Sequence, residues 1–385
     1  MEHRFISKKY WKKMETLLGG VVQKAGAYDD CINLSIGDPD ILTPSVIIEN
    51  AFEDARNGHT KYTDGRGYPE LRQEICKFYK EEYDMDVDDS EVIVVASGVM
   101  AMFEVMQTVL DAGDEVLIQS PCFSPYFRQV TMAGGIPVEM PTYEEEDFQI
   151  NLDRLESMIT PKTKVLLINS PSNPTGNCLS LETMGKLAEI VTKHDLLVVC
   201  DDIYTAFSFQ EKFIPFASLP GMRERSIIIN SFSKNFLMTG WRIGNVIAPS
   251  FIIDVMKDIH ENVIFTAPSI SQRGAIHALR HRHEVQPPII EEYKKRMDYA
   301  AERINQIPWM SVLTPPKGSF YLFINIKNTG LTSNEASEML LEKAHVLLLP
   351  GSSFGKCGEG FLRLCCTVGI DKLKEAFDRI EKIEL

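Results

Sequence analysis

Apolar residues recur along this chain at two periods, and stretches of one period alternate with stretches of the other. Leu71, Ile75, Phe78 and Tyr79 stand at helical spacing behind Pro69, which suits a first helical position. Residues 92–95 are a β-branched run, and 99–110 then read as helix. The turn Asp111-Ala112-Gly113-Asp114 leads into a strand at 116–118. Another strand, 165–168, ends in Ser170-Pro171-Ser172-Asn173-Pro174-Thr175-Gly176, and a helix is predicted over 181–194. A continuously apolar strand at 196–200 stops at Asp201 and Asp202, and 227–229 and 246–247 complete the set. Short apolar strands between helices predict an α/β fold with a mostly parallel sheet covered by helices on both faces. Ligands collect beyond the carboxyl ends of such strands, where the polar motifs of this chain lie.

Beyond the sheet, 288–307 reads as one long helix, and 318–326, 334–344, 346–350, 361–365 and 372–383 as mixed segments. The expected division is a large domain over 45–285 and a smaller α+β domain over 286–385, with residues 1–44 packed against it. No internal repeat or low-complexity linker interrupts the pattern.

Composition narrows the function without naming it. The formal net charge of −14 argues against nucleic acid, whose phosphates reward a basic face. No apolar run approaches the roughly 20 residues a membrane helix requires. His3, Arg4, Lys8, Lys9, Lys12 and Lys13 are followed by no apolar signal core, so a cytoplasmic protein is expected. The eight cysteines form no C-x-x-C pair and read as small buried residues. His277 and His281, one turn apart, lack the acidic residue of a zinc motif and read as helix surface.

The densest chemistry lies at Asn230-Ser231-Phe232-Ser233-Lys234 and Thr239-Gly240-Trp241-Arg242. A strand runs into a turn presenting a primary amine, with the hydroxyls of Ser231 and Ser233 before it and the Arg242 guanidinium after it. That set suits an aldehyde cofactor bearing a phosphate, although a lysine on a loop is also an ordinary surface residue. Ser97-Gly98-Val99-Met100-Ala101 leaves a strand and opens a helix, so its free N–H groups suit a phosphate. Phe123 could stack on a flat ring or belong to the core. Asn173 could bind a phenolic oxygen or cap a turn, and Tyr204 is a second candidate for that oxygen. Asp201 ends an apolar strand, where an unpaired carboxylate is costly and a protonated ring nitrogen would satisfy it. Arg363, in a late strand, suits a planar carboxylate or a local glutamate at a sheet edge.

Taken in order, further segments join these: Ile36-Gly37-Asp38-Pro39-Asp40, Lys61-Tyr62, Gly65-Arg66-Gly67-Tyr68-Pro69-Glu70-Leu71-Arg72, Asn173-Pro174-Thr175-Gly176, Asp201-Asp202-Ile203-Tyr204, Gly318-Ser319-Phe320-Tyr321 and Pro350-Gly351-Ser352-Ser353-Phe354. With Ser231-Phe232-Ser233-Lys234, Arg242 and Arg363, they resemble the class I/II aminotransferases of the fold-type I pyridoxal-phosphate family, nearly end to end. The resemblance implies a seven-stranded-type sheet in the large domain and pyridoxal 5'-phosphate as cofactor, held in a Schiff base by Lys234. It implies that Asp201 pairs with the ring nitrogen, that Asn173 and Tyr204 bind the phenolic oxygen, and that Phe123 stacks on the ring. Ser231, Arg242 and the backbone at Gly98 and Val99 would hold the phosphate, with Met100 and Ser233 counted among the cofactor-binding residues. Arg363 would bind the substrate α-carboxylate, helped by Asn173 and Gly37. Tyr62 would reach the phosphate of a neighbouring subunit, which implies a homodimer with shared active sites.

The implied reaction moves an amino group between an L-amino acid and a 2-oxo acid with ping-pong kinetics. Asp202 stands where relatives carry glutamate. Val99 stands where some relatives that prefer acidic substrates carry lysine, which turns the expectation toward an apolar or aromatic side chain. Glutamate with 2-oxoglutarate fits as a second pair. The segment around Met14 to Leu18 is expected to bear on side-chain specificity. Two rivals share the scaffold: a carbon–sulfur β-lyase or cyclopropane-carboxylate synthase-like enzyme, and a non-catalytic ligand sensor. The second is disfavoured by the acidic charge, by the expected absence of an added DNA-binding segment, and by the joint presence of Lys234, Asp201 and Arg363.

Overall fold

A computed structural model describes residues 3–7, 10–11, 24, 26 and 28–385. The segment 14–18 lies outside the described residues. Strand β1 (Ile32–Asn33) stands apart from the main sheet, which holds β2 (Val92–Val95), β3 (Glu115–Ser120), β4 (Ile136–Pro141), β5 (Thr163–Asn169), β6 (Leu197–Asp201), β7 (Ser226–Ser231) and β8 (Gly244–Ile247). Their order is β2-β8-β7-β6-β5-β3-β4, and β8 alone runs antiparallel to both its neighbours. The sheet is therefore seven-stranded and mostly parallel, as expected.

Its strands bury both faces. Ile93 and Val95 join one core with helices Gly98–Val109, Pro125–Met132 and Ser250–Val263, while Val92 and Val94 join another with helices Pro69–Tyr83 and Ser269–Arg280. Val165 and Leu167 face the first core, whereas Leu166 and Ile168 face a third beside helix Leu181–Lys193. This period of two, with apolar residues at both phases, is why these strands read as unbroken apolar runs.

Strand β4 escaped the pattern because prolines at 137 and 141 break its apolar run. It forms at the sheet edge, where a missing N–H does no harm. The long helix starts earlier than expected, spanning Arg282–Gln306 with Pro287 and Pro288 inside it. Its first turn survives the prolines because Arg282 ties it down: the guanidinium donates to Glu81, to Glu82 at 3.0 Å and to the Leu279 carbonyl at 2.9 Å.

The C-terminal part carries β9 (Tyr321–Asn325), β10 (Val346–Leu347), β11 (Leu349–Pro350) and β12 (Phe361–Cys365). β11, β12 and β9 form an antiparallel sheet with β12 central, and β1 pairs with β10 in parallel. Tyr321, Leu322, Ile324, Leu362 and Leu364 share a core with helices Arg282–Gln306, Ser333–Ala344 and Ile370–Ile380. Tyr204, Phe207 and Leu237, from loops at the carboxyl ends of the large sheet, enter the same core. No described helix is long and apolar enough to cross a membrane. His277 does not lie on open surface: its ring meets Asp54 at 2.8 Å in a cluster with Arg273, while His281 turns to Glu284 at 3.3 Å.

Leu167 is fully buried at the centre of the sheet. Leu167→Ala is expected to cost about 2–5 kcal/mol through lost apolar contact and the cavity left behind. A thermal midpoint equal to that of the wild type would contradict the packing described.

Candidate active site

The carboxyl ends of β5, β6 and β7 carry Asn169, Asp201 and Ser231, facing the small antiparallel sheet; Asn169 stands opposite Asp201, and Ser231 lies two residues beyond the Asp201 partner Ile229. Between them lies a cavity of about 410 Å³. Gly37, Gly98, Val99, Phe123, Asn173, Asp201, Tyr204, Ser231, Ser233, Lys234, Arg242 and Arg363 all line it. Met100 and Tyr62 do not, and Tyr62 is expected to reach a neighbouring subunit's site rather than this one. Met100 sits one step too far into its helix, and its N–H is taken at 3.1 Å by the Ser97 hydroxyl that caps that helix. Tyr62 is 80% exposed and rests edge-on against Phe265, with ring centroids 4.7 Å apart.

Asp201 is the last residue of β6, and its carboxyl is buried. Burial pushes it up to about 6, against the pull of hydrogen bonds from the Tyr126 hydroxyl and the Ile203 N–H. Asn169 Nδ2 donates to the Asp201 carbonyl at 2.8 Å and fixes the strand end. Asp202 is buried too, but it does not line the cavity, and burial followed by the neighbouring Asp201 charge holds its carboxyl well above the usual range.

Lys234 lies in the short helix Phe232–Asn235 directly after β7, and its amine donates to the Gly37 carbonyl. Burial lowers it to about 8, with the charges of Arg363 and Arg242 acting the same way and Asp38 and Cys365 opposing them. A lysine near 8 keeps a usable fraction of neutral amine at ordinary pH. Ser231 caps this turn by accepting from the Ser233 N–H at 3.1 Å. Arg242 stands at φ 53°, exposed at the mouth, and donates to the Thr239 carbonyl at 2.6 Å. Gly98 opens its helix under Ile203, whose Cδ1 would lie 2.7 Å from any Cβ there. A larger residue there would require the Ile203 side chain to shift.

Arg363 occupies the central strand of the small sheet, so the edge-strand reading with a local glutamate does not apply. Its guanidinium donates to Asn173 Oδ1 at 3.0 Å and to the Ser35 carbonyl. The rings of Tyr321 and Phe354 lie 4.6 Å and 4.7 Å from it. Its buried Nε has no hydrogen-bond partner among the described residues. A neutralising carboxylate in the cavity would meet the geometry such a group is built to bind.

The family model described as "Aminotransferase class I and II" matches residues 29–380. The chain belongs to the class I and II aminotransferases. It is 42% identical over 363 residues to an aspartate aminotransferase of Pyrococcus abyssi, and the match covers 93% of each chain. It is 39% identical to aromatic-amino-acid aminotransferase 2 of Thermococcus litoralis, again over 93% of each. Among solved structures, an aromatic aminotransferase from Pyrococcus horikoshii superposes with a TM-score of 0.90 at 38% identity, covering 94% of this chain and 98% of that one.

In this aminotransferase the cavity holds residues that spacing alone did not single out. Tyr126 approaches Asp201 from helix Pro125–Met132, one turn after Phe123, against which its ring stands edge-on at 5.6 Å. Its signal was that one-turn interval on a helix following a strand end. Tyr321 and Phe354 lay in the quoted motifs without a role.

Asparagine cannot ionise, so Asp201→Asn isolates the carboxyl's cost. An ordinary aspartate titrates near 3.9 and this one near 6, so the folded state is penalised as pH rises through that window. Relative to Asp201→Asn, the ligand-free wild type is expected to lose about 2 kcal/mol between about pH 4 and pH 7. Thermal melts at both ends of the range check it, and an offset that ignores pH would contradict it.

Proposed function

We propose that the protein uses pyridoxal 5'-phosphate, bound to Lys234 as a Schiff base, to move an amino group between an L-amino acid and a 2-oxo acid. The observation that carries this reading is that a lowered lysine amine, a buried aspartate and a half-satisfied arginine line one cavity of about 410 Å³. The size suits a small heterocyclic ligand.

The residues fit that cofactor. Asp201 has its carboxyl braced from behind by Tyr126 and meets no cation through a hydrogen bond among the described residues. A protonated ring nitrogen on its open side would favour the ionised carboxylate, which in turn would hold the proton on that nitrogen. Ser231, Ser233, Arg242 and the start of helix Gly98–Val109 would hold the phosphate, Asn173 and Tyr204 the phenolic oxygen, and Phe123 one face of the ring. When bound, the cofactor supplies an aldehyde that condenses with amines and a ring that accepts electrons released at the substrate α-carbon. Arg363 would grip the substrate α-carboxylate and orient the α-hydrogen toward Lys234. Lys234 Nζ, once free, would take that proton and deliver it to a neighbouring carbon. Two half-reactions follow, so the kinetics are ping-pong.

A homodimer with shared sites belongs to the same reading. Tyr62 is well placed on an exposed loop to reach a neighbour. Phe251 and Val255 stand exposed one turn apart on helix Ser250–Val263, and Val263 and Phe265 are exposed at its end and just beyond it. Exposed apolar side chains of this kind favour burial against a second copy. The reading also divides the chain into a cofactor-binding unit of 45–285 and a smaller unit of 1–44 and 286–385. For the donor we favour an apolar or aromatic side chain. Ile36, Val99, Leu349 and Phe354 line the cavity, and its lining cations among the described residues are Lys234, Arg242 and Arg363, which already have roles.

The test is a half-reaction panel in which the loaded enzyme is mixed with each amino acid and the visible band of the cofactor is followed. Bleaching by aromatic or large aliphatic donors, restored by a 2-oxo acid, is expected. Acceptor-independent release of ammonia would favour a lyase, and a silent panel would favour a sensor. Lys234→Ala is expected to remain folded and to lose turnover by at least about 10³-fold; substantial residual transamination would refute the assignment.

A further inference from the structure

Tyr321 opens β9, in register with Cys365 of β12 and two residues from Phe323, the partner of Arg363. Its side chain meets three groups of the cavity. Its hydroxyl lies 2.9 Å from the Tyr204 hydroxyl. Its ring lies 4.6 Å from the Arg363 guanidinium carbon, close enough for a cation–π contact. Its hydroxyl also crowds Gly37 so closely that any Cβ there would collide with it, and the Gly37 carbonyl is the acceptor of Lys234. The side chain is buried, so these contacts are shielded from water. Burial pushes both phenols up, and the Arg363 charge pulls against it at each.

Resting on the function proposed above, we propose that Tyr321 is a positioning residue that aims the Tyr204 hydroxyl and braces Arg363 with one side chain. Two hydroxyls at this separation share one hydrogen bond. With Tyr321 donating, the Tyr204 proton is left for an acceptor in the cavity. Its ring meanwhile keeps Arg363 from swinging away when the substrate carboxylate leaves. The two duties reside in different atoms: the hydroxyl serves Tyr204, and the ring serves Arg363.

That separation makes the proposal testable. Tyr321→Phe removes the hydroxyl and keeps the ring, whereas Tyr321→Leu removes both. In the holoenzyme, Tyr321→Phe is expected to lower kcat about tenfold and leave KM for the amino donor within about twofold. Tyr321→Leu is expected to lower kcat to a similar degree and raise KM about fivefold or more. The ring's part is also read without the cofactor, by calorimetric titration of the cofactor-free protein with 3-phenylpropionate, a monocarboxylate. Its Kd is expected to hold within about twofold in Tyr321→Phe and to weaken about fivefold in Tyr321→Leu. Equal losses of kcat and KM in Tyr321→Phe would mark a merely structural residue and overturn the proposal. So would a Tyr321→Leu protein that binds 3-phenylpropionate like the wild type. Should Tyr321→Leu fail to fold, the kcat-against-KM split in Tyr321→Phe decides alone. If the wild type takes up no pyridoxal phosphate, the function proposed above fails, while the 3-phenylpropionate arm still decides whether the ring braces Arg363.

Discussion

A carboxyl deprived of water at the end of a central strand is the constraint on which this site depends. Asp201 is flanked in the sheet by β5 and β7, so water cannot reach it along the strand. Tyr126 and the Ile203 N–H meet its two oxygens, and Asn169 fixes its backbone. These bonds hold the carboxyl in place but do not bring it down to the usual carboxylate range. Under the proposed function, a protonated ring nitrogen on the cavity side would offset that cost.

The topology supplies the remaining groups to the same place. Parallel neighbours β5, β6 and β7 end close together, with Asn169 opposite Asp201 and β7 running two residues farther to Ser231. After β7 the chain turns back as antiparallel β8, with Ser231 opposite Gly244. One connection thus carries Ser231, Ser233, Lys234 and Arg242. The small sheet closes the other side with Arg363 and Tyr321. Residues 35–40 cross between them like a strap: the Ser35 carbonyl takes Arg363, the Gly37 carbonyl takes Lys234, the Asp38 carboxylate takes Thr239 at 2.7 Å and that of Asp40 takes Arg296 at 2.7 Å. The strap joins residues hundreds of positions apart, and this spacing is why no local motif could reveal it.

Strong periodic segments were legible in advance, because burial on both faces writes an unbroken apolar run into a strand. Strand β4 was not, since two prolines disguise a strand that its edge position tolerates. The first turn of helix Arg282–Gln306 was hidden for the converse reason: prolines normally stop a helix, and here distant Glu81 and Glu82 hold it. Of the expected site residues, those at strand ends line the cavity because their loops carry the polar motifs. Met100 lies one step farther along its helix, where the Ser97 hydroxyl accepts its N–H.

The amino-acid sequence by itself determined the α/β class, and its resemblance to a known family singled out the amine, the carboxylate and the guanidinium as candidates. The first follows from local periodicity and the second from motifs that lie within short stretches of chain. Only the tertiary structure decided that Tyr126 stands behind Asp201, that Tyr321 links Tyr204 to Arg363, and that Arg363 lies in a central rather than an edge strand. Those facts depend on which side chains are excluded from water together, and that is fixed by packing between elements far apart in the chain.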